Sequence, residues 1–168
     1  APFIQLPPFT FAISPYQPEF IDQHEIYARF EGMGGALEVD ATAFYYDFTD
    51  AQIAGASPVV NAFGLPMTGN VPGAESYGLE LAARYQATQS LNLQANLGLL
   101  DTKITSAGPV LAGFNGAQLP RSPNVTASIG LFWDPGTGFD AAAQVRYVGR
   151  QKTLLTEPNL SGFTTVDM

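Results

Sequence analysis

An all-β fold, laid out as an antiparallel up-and-down meander, is what this sequence predicts, on three observations. Apolar and polar residues alternate with a period of two through seven segments. The connections between those segments run tight, long, tight, long, tight, long. Glycine and proline, 17 and 13 of the 168 residues, supply turn signals throughout and leave no room for long helices.

The elements follow in order. Residues 1–18 hold Pro2, Pro7, Pro8, Pro15 and Pro18 and read as an irregular lead-in with room for a short strand. A first long strand is expected from about His24 to Glu31, with Ile26, Ala28 and Phe30 on one face. Gly32-Met33-Gly34-Gly35 makes the first tight turn. The second strand starts at Leu37, Val39, Ala41, Ala43 and Tyr45, alternating with Glu38, Asp40, Thr42, Phe44 and Tyr46, and ends between Phe48 and Ile53. A long loop is expected from about Ala54 to Gly73. The third strand sets Tyr77, Leu79, Leu81, Ala83 and Tyr85 against Gly78, Glu80, Ala82 and Arg84. After a short turn at Ala87–Ser90, Leu91, Leu93, Ala95, Leu97 and Leu99 oppose Asn92, Gln94, Asn96 and Gly98. A second long loop spans about Thr105 to Pro123. The fifth strand puts Val125, Ala127, Ile129, Leu131 and Trp133 on one face. Pro135–Gly138 turns the chain, and Phe139, Ala141, Ala143, Val145 and Tyr147 then oppose Asp140, Gln144 and Arg146. A third long loop, Gly149 to Gly162, leads to a seventh strand starting at Phe163.

The length suits one domain, not two. With 46% hydrophobic and 12% aromatic residues the chain is too apolar to be disordered. Its net charge of −8 disfavours a phosphate backbone, so no nucleic-acid partner is expected. The absence of cysteine removes disulfides, thiolate catalysis and cysteine-ligated metals. No run reaches 18 apolar residues, so no transmembrane helix is expected, but a membrane β-strand needs only about ten alternating residues.

Alternating strands fit either a soluble sandwich or barrel, whose apolar face is a core, or a transmembrane barrel, whose apolar face meets lipid. Three features favour lipid. Aromatics bracket the apolar faces: Tyr77 and Tyr85 lie eight residues apart, as do Phe139 and Tyr147. Tyr45 joins Tyr77 and Tyr147 at the long-loop ends, and Trp133 joins Tyr85 and Phe139 at the tight-turn ends, where interfacial rings settle. The opposite face carries Glu80, Arg84, Asn92, Gln94, Asn96 and Arg146, which need water or one another. Short and long connections segregate to opposite ends, as in membrane barrels. The expected fold is therefore a partial transmembrane β-barrel of about seven strands, an open curved sheet.

Certain stretches resemble the C-terminal part of the barrel of TonB-dependent outer-membrane receptors. They are Pro18-Glu19-Phe20 with Glu25-Ile26, Ala43-Phe44-Tyr45-Tyr46-Asp47-Phe48 with Asp50-Ala51-Gln52, and Asn70-Val71-Pro72-Gly73-Ala74-Glu75-Ser76-Tyr77-Gly78-Leu79-Glu80-Leu81. Leu119-Pro120-Arg121-Ser122-Pro123 precedes a strand in the same way. The resemblance covers about residues 15–168. It implies a bacterial outer-membrane location and lipid contact. It also implies energised uptake of a scarce ligand, such as an iron–siderophore complex, through a TonB partner that a plug domain engages. Residues 1–168 hold no plug domain and are expected to be a fragment of a single barrel domain. Ligand is expected at the outer loops, Ala54–Gly73, Thr105–Pro120 and Gln151–Gly162, with Phe63 and Phe114 nearby. A different outer-membrane barrel of porin type and a soluble β-sandwich binding module are the alternatives.

No catalytic constellation, cofactor site or metal site is expected. His24 is the single histidine and has no ligand-spaced partner. Asp40, Asp47 and Asp50 do not match an EF-hand loop, and no nucleophile elbow or phosphate-binding glycine loop occurs. Glu80 and Arg84 share a face, and a structural ion pair with neighbouring strands is expected there.

Overall fold

A computed structural model describes residues 3–6, 9–12, 16–56 and 67–168. Two short strands, β1 (Phe3–Leu6) and β2 (Phe9–Ala12), pair antiparallel as a separate two-stranded sheet. The expected irregular lead-in left room for one short strand, and two stand there. Alternating apolar residues on either side of Pro7-Pro8 can pair as a hairpin, since prolines are tolerated between strands. Residues 7, 8 and 13–15 lie outside the described residues.

The remaining strands form one sheet in strict sequence order: β3 (Phe20–Gly32), β4 (Leu37–Ala54), β5 (Thr68–Thr88), β6 (Leu91–Ser106), β7 (Val125–Trp133), β8 (Ala141–Val148) and β9 (Phe163–Asp167). All six pairings are antiparallel, so the sheet is an open seven-stranded meander with β3 and β9 as its edges.

The register joins the apolar alternations into one continuous face. Ala41 faces Leu81, Leu81 faces Leu97, and Leu97 faces Ala127 across successive ladders. Ile129 faces Ala95 on one side and Val145 on the other. No second layer covers this face among the described residues. Ile26 is 76% exposed, and Ile129 and Leu131 are exposed too. A soluble sandwich would bury these side chains against a second sheet.

Three strands extend beyond their expected ends, β3 by starting at Phe20 and not near His24. β5 begins at Thr68, inside a stretch whose Gly, Pro and Asn read as loop, and β6 continues to Ser106. The β4–β5 ladder runs through this stretch with one interruption, opposite Pro72, which has no N–H to give. There Asp50 adopts φ +55°, a left-handed conformation that Asp tolerates better than most residues. Thr105 is an extra residue in β6, between the pairs Gly73–Ser106 and Ala74–Ile104.

The buried apolar cluster lies at this long-loop end. Ala51, Ile53, Val71, Ala74 and Ile104 from the strand extensions pack with Ala56, Ala107 and Leu155. Phe48, Leu111, Phe114, Ala117 and Leu119 pack against them. Val71, Ala74 and Ile104 are wholly buried. The second long loop and one leucine of the third thus cap the extended strands. The expected loop at 54–73 includes residues 57–66, among them Phe63, which lie outside the described residues.

Candidate functional site

The aromatic residues singled out in the sequence fall into two tilted rows on the apolar face. Tyr45 and Tyr77 stand directly opposite each other on β4 and β5. The row through Leu79 continues to Leu99 and Val125, where Gly149 N–H donates to the Val125 carbonyl at 2.7 Å. Tyr77 lies two residues above that row and Tyr147 two below, a stagger of four over three strand steps. At the other end, Tyr85 faces Leu93, Leu93 faces Leu131, and Leu131 faces Ala143. Trp133 lies two residues beyond that row, and Phe139, just ahead of β8, lies four beyond. Both rows therefore descend together. Four residues at about 3.3 Å against three strands at about 4.8 Å correspond to a tilt of roughly 43°, within the range for membrane barrels.

Beyond the Tyr45–Tyr77 row the same face turns abruptly polar. Asp101 stands opposite Tyr77, and Glu75 stands between Asp47 and Lys103. The tyrosine hydroxyls point across this boundary: Tyr77 Oη donates to Asp101 Oδ2 at 2.8 Å, and Tyr45 Oη to Glu75 Oε2 at 3.4 Å. Lys103 Nζ lies 2.7 Å from Glu75 Oε1. The Glu75 carboxylate, by accepting that hydrogen bond, holds the Lys103 ammonium above the ordinary lysine range.

The other face carries the polar residues in register. Glu80 faces Thr42 and Gly98, and Arg84 faces Glu38 and Gln94. Asn92 faces Gln86 and Phe132, and Asn96 faces Ala82 and Ser128. Arg146 faces Ser128 and Thr165. Asn96 Nδ2 donates to Ser128 Oγ at 3.2 Å. The expected ion pair at Glu80 and Arg84 is absent among the described residues. Glu80 has uncharged neighbours, and the exposed Arg84 gains little by closing on Glu38. The ion pair on this face joins Arg29 to Asp40 instead. Arg29 Nε lies 2.7 Å from Asp40 Oδ1 and Nη2 3.3 Å from Oδ2, and the Tyr27 hydroxyl donates to the same carboxylate. The Tyr46 hydroxyl donates to Glu25.

At the long-loop end, Gln17, Glu19, Asp50, Gln52 and Asn70 meet in one hydrogen-bond network that no local sequence pattern marks. The Asn70 carboxamide clamps the backbone of Gln17: Oδ1 accepts its N–H at 2.6 Å and Nδ2 donates to its carbonyl at 3.0 Å. Nδ2 also donates to the Asp50 carbonyl at 2.5 Å. Gln52 N–H donates to Glu19 Oε2 at 2.7 Å, and Gln52 Nε2 to the Gln17 carbonyl at 3.1 Å. Here the side chain of Asn70 takes the place of a neighbouring strand, beside the ladder gap where Pro72 withdraws a donor. A cavity of about 340 Å³ opens beside this network, between Glu19, Phe48, Gln52, Leu119 and Arg121. Gly78 completes the stretch. A Cβ there would lie 2.2 Å from the Leu99 carbonyl oxygen and 2.8 Å from the Phe44 ring, so only glycine lets that ring lie over the strand.

The chain is similar in fold to solved transporters and receptors. Against a structure described as the copper transporter OprC it is 21% identical with a TM-score of 0.67, over 90% of this chain and 23% of that one. Against the ferric yersiniabactin uptake receptor FyuA from Yersinia pestis the values are 18% and 0.70, over 94% and 24%. Against the siderophore receptor PiuA from Acinetobacter baumannii they are 17% and 0.68, over 87% and 21%. The chain thus spans about a quarter of the length of these proteins. The model of the family described as "TonB dependent receptor-like, beta-barrel" matches residues 3–168, and the chain belongs to that family.

Proposed function

We propose that this chain is a wall segment of an outer-membrane receptor that takes up a scarce ligand, an iron–siderophore complex or a similar chelate, with energy from a TonB partner. The observation that carries the membrane placement is the pair of aromatic rows that descend together across the sheet. Eight residues separate Tyr77 from Tyr85, which at the derived tilt is a height of roughly 20 Å, close to the apolar band of a membrane barrel. On this reading Tyr45, Tyr77 and Tyr147 mark the outer interface, and Tyr85, Trp133 and Phe139 the inner one. Glu80, Arg84, Asn92, Gln94, Asn96 and Arg146 face the lumen, and the long loops face outward. The TonB partner engages a plug domain elsewhere in the receptor.

The ligand class rests on the family and on likeness to ferric-siderophore receptors, among which a copper transporter also stands. The test is uptake by intact cells that carry or lack the receptor. Radiolabelled ferric siderophores and copper are offered under metal limitation, with and without a protonophore. Loss of one ferric chelate on deletion, together with protonophore sensitivity, is expected. Uptake that survives the protonophore would favour a passive porin.

A further inference from the structure

The cavity that stands apart from the lumen wall is a polar notch where β6 runs on past the start of β7. Above Leu99, β6 has lost β7 as a ladder partner, and the segment Gly116–Leu119 of the second long loop takes its place. Ile104 N–H donates to the Ala117 carbonyl at 2.9 Å, Gly116 N–H to the Ile104 carbonyl at 2.8 Å, and Leu119 N–H to Thr102 Oγ1 at 3.1 Å. The third long loop closes the opposite side. Its Gln151 and Leu160 form a bridge, and Arg121 N–H donates to the Lys152 carbonyl at 2.7 Å. Between the two loops lies a space of about 390 Å³, lined by Asp101, Lys103, Gln118, Asn124, Arg150 and Asn159, and by no apolar side chain among the described residues.

Its chemistry is specific. Three carboxamides can each donate and accept, as sugar hydroxyls require, and two cations suit phosphate oxygens. Several of these groups are already committed. Asp101 accepts from Tyr77, Lys103 is shared with Glu75, and Gln118 Nε2 donates to the Ser122 carbonyl. Arg150 makes no ion pair among the described residues and is exposed, which leaves its planar fork of donors available. Asp101 also sits directly opposite Tyr77, so the notch is the first polar space beyond the aromatic row.

We propose that this notch binds a phosphorylated saccharide, with its phosphate on Arg150 and Lys103 and its hydroxyls on Gln118, Asn124 and Asn159. Two sources offer that chemistry: the headgroup of an outer-leaflet glycolipid, and a soluble sugar phosphate. Assignment to the lipid rests on the membrane placement proposed above; the binding chemistry does not. The height just beyond the Tyr77 row is where a lipid headgroup would meet the protein.

The experiment uses the whole receptor in detergent micelles and native mass spectrometry. The probes are a phosphorylated disaccharide glycolipid, its dephosphorylated counterpart, and glucosamine 6-phosphate. The phosphorylated glycolipid is expected to bind at least ten times more tightly than the dephosphorylated one, and Arg150→Gln is expected to remove that difference. Arg150→Lys should restore part of it. Binding of glucosamine 6-phosphate with the same dependence on Arg150 would support the site and assign it to a soluble ligand. Equal binding of both glycolipids with no binding of glucosamine 6-phosphate overturns the proposal. So does a folded Arg150→Gln receptor that retains the preference. Asn159→Ala gives a second reading should Arg150→Gln fail to fold, and unchanged affinity in that variant also counts against the site. Uptake of the transported ligand is not the readout, so a failure here is separable from a failure of the receptor assignment.

Discussion

The wall and the rim of this sheet solve the same packing problem in opposite ways. From the Tyr45–Tyr77 row down to the tight turns, the strands carry apolar side chains on one face and polar ones on the other, and neither face is covered among the described residues. Beyond that row the same strands bury Ala51, Ile53, Val71, Ala74 and Ile104 beneath two loops. On the membrane placement proposed above, the difference follows from the surroundings of each part. A strand between lipid and a wet lumen has a suitable solvent on each side and needs no core. A strand that rises into water on both sides has none for its apolar residues, and so it must make a small core of its own.

The sharpest way to break this contrast is to truncate one isoleucine in each region. Ile104→Ala, which empties a wholly buried site, is expected to destabilise the rim by about 2–5 kcal/mol. Amide exchange in the 107–119 segment should then quicken at least about thirty-fold. Ile129→Ala on the wall should cost about 1 kcal/mol or less, because lipid tails fill the space as well as another side chain would. Equal losses at the two sites would dissolve the distinction.

Charge probes the two faces of the wall itself. Ala95→Arg is expected to cost about 2–4 kcal/mol near the bilayer midplane, and Gln94→Arg far less, by denaturant titration of the receptor in lipid. Similar values would mean that the apolar face does not meet hydrocarbon. At the rim, Asn70→Ala removes the partner of the exposed Gln17 backbone and of the Asp50 carbonyl, at a cost of about 0.5–1.5 kcal/mol. Limited proteolysis near Gln17 should report it, while wall stability stays unchanged.

The smallest effect is expected at Lys103. Its pKa is raised in the folded state, so its contribution is complete at neutral pH, below the unfolded lysine value. It is lost only as alkaline pH rises through the raised value. Lys103→Met should therefore lower the thermal midpoint slightly at pH 7, with the gap to wild type closing as alkaline pH deprotonates the folded-state lysine. The gap should also shrink in high salt, since the lysine side chain is half-exposed.

The wall was legible from the sequence because period two is a local signal that the ladders preserve. Leu91–Leu99 alternates without a break, and the strand Val125–Trp133 has the bounds its alternation predicts. The rim was not legible for the opposite reason. Thr68–Gly73 carries Gly, Asn and Pro, which signal a loop, and it becomes strand only because Asn70 and the buried Val71 find partners distant in sequence. Leu155 offers no periodic neighbour to mark it as buried. The polar face was half legible. Alternation assigned Arg84 and Glu80 to it, but the choice of Arg29 with Asp40 as the ion pair depends on cross-strand register, which no single strand encodes.

The stagger of the aromatic rows also sets how much perimeter each strand occupies. A strand tilted by roughly 43° takes up about 6.6 Å of circumference in place of the 4.8 Å it spans when upright. Seven such strands therefore account for about 46 Å of the rim of a closed barrel. Pore width is in this sense written into the hairpin offsets as well as into the number of strands. Slipping one hairpin by two residues would keep every side chain on its own face and still change the bore.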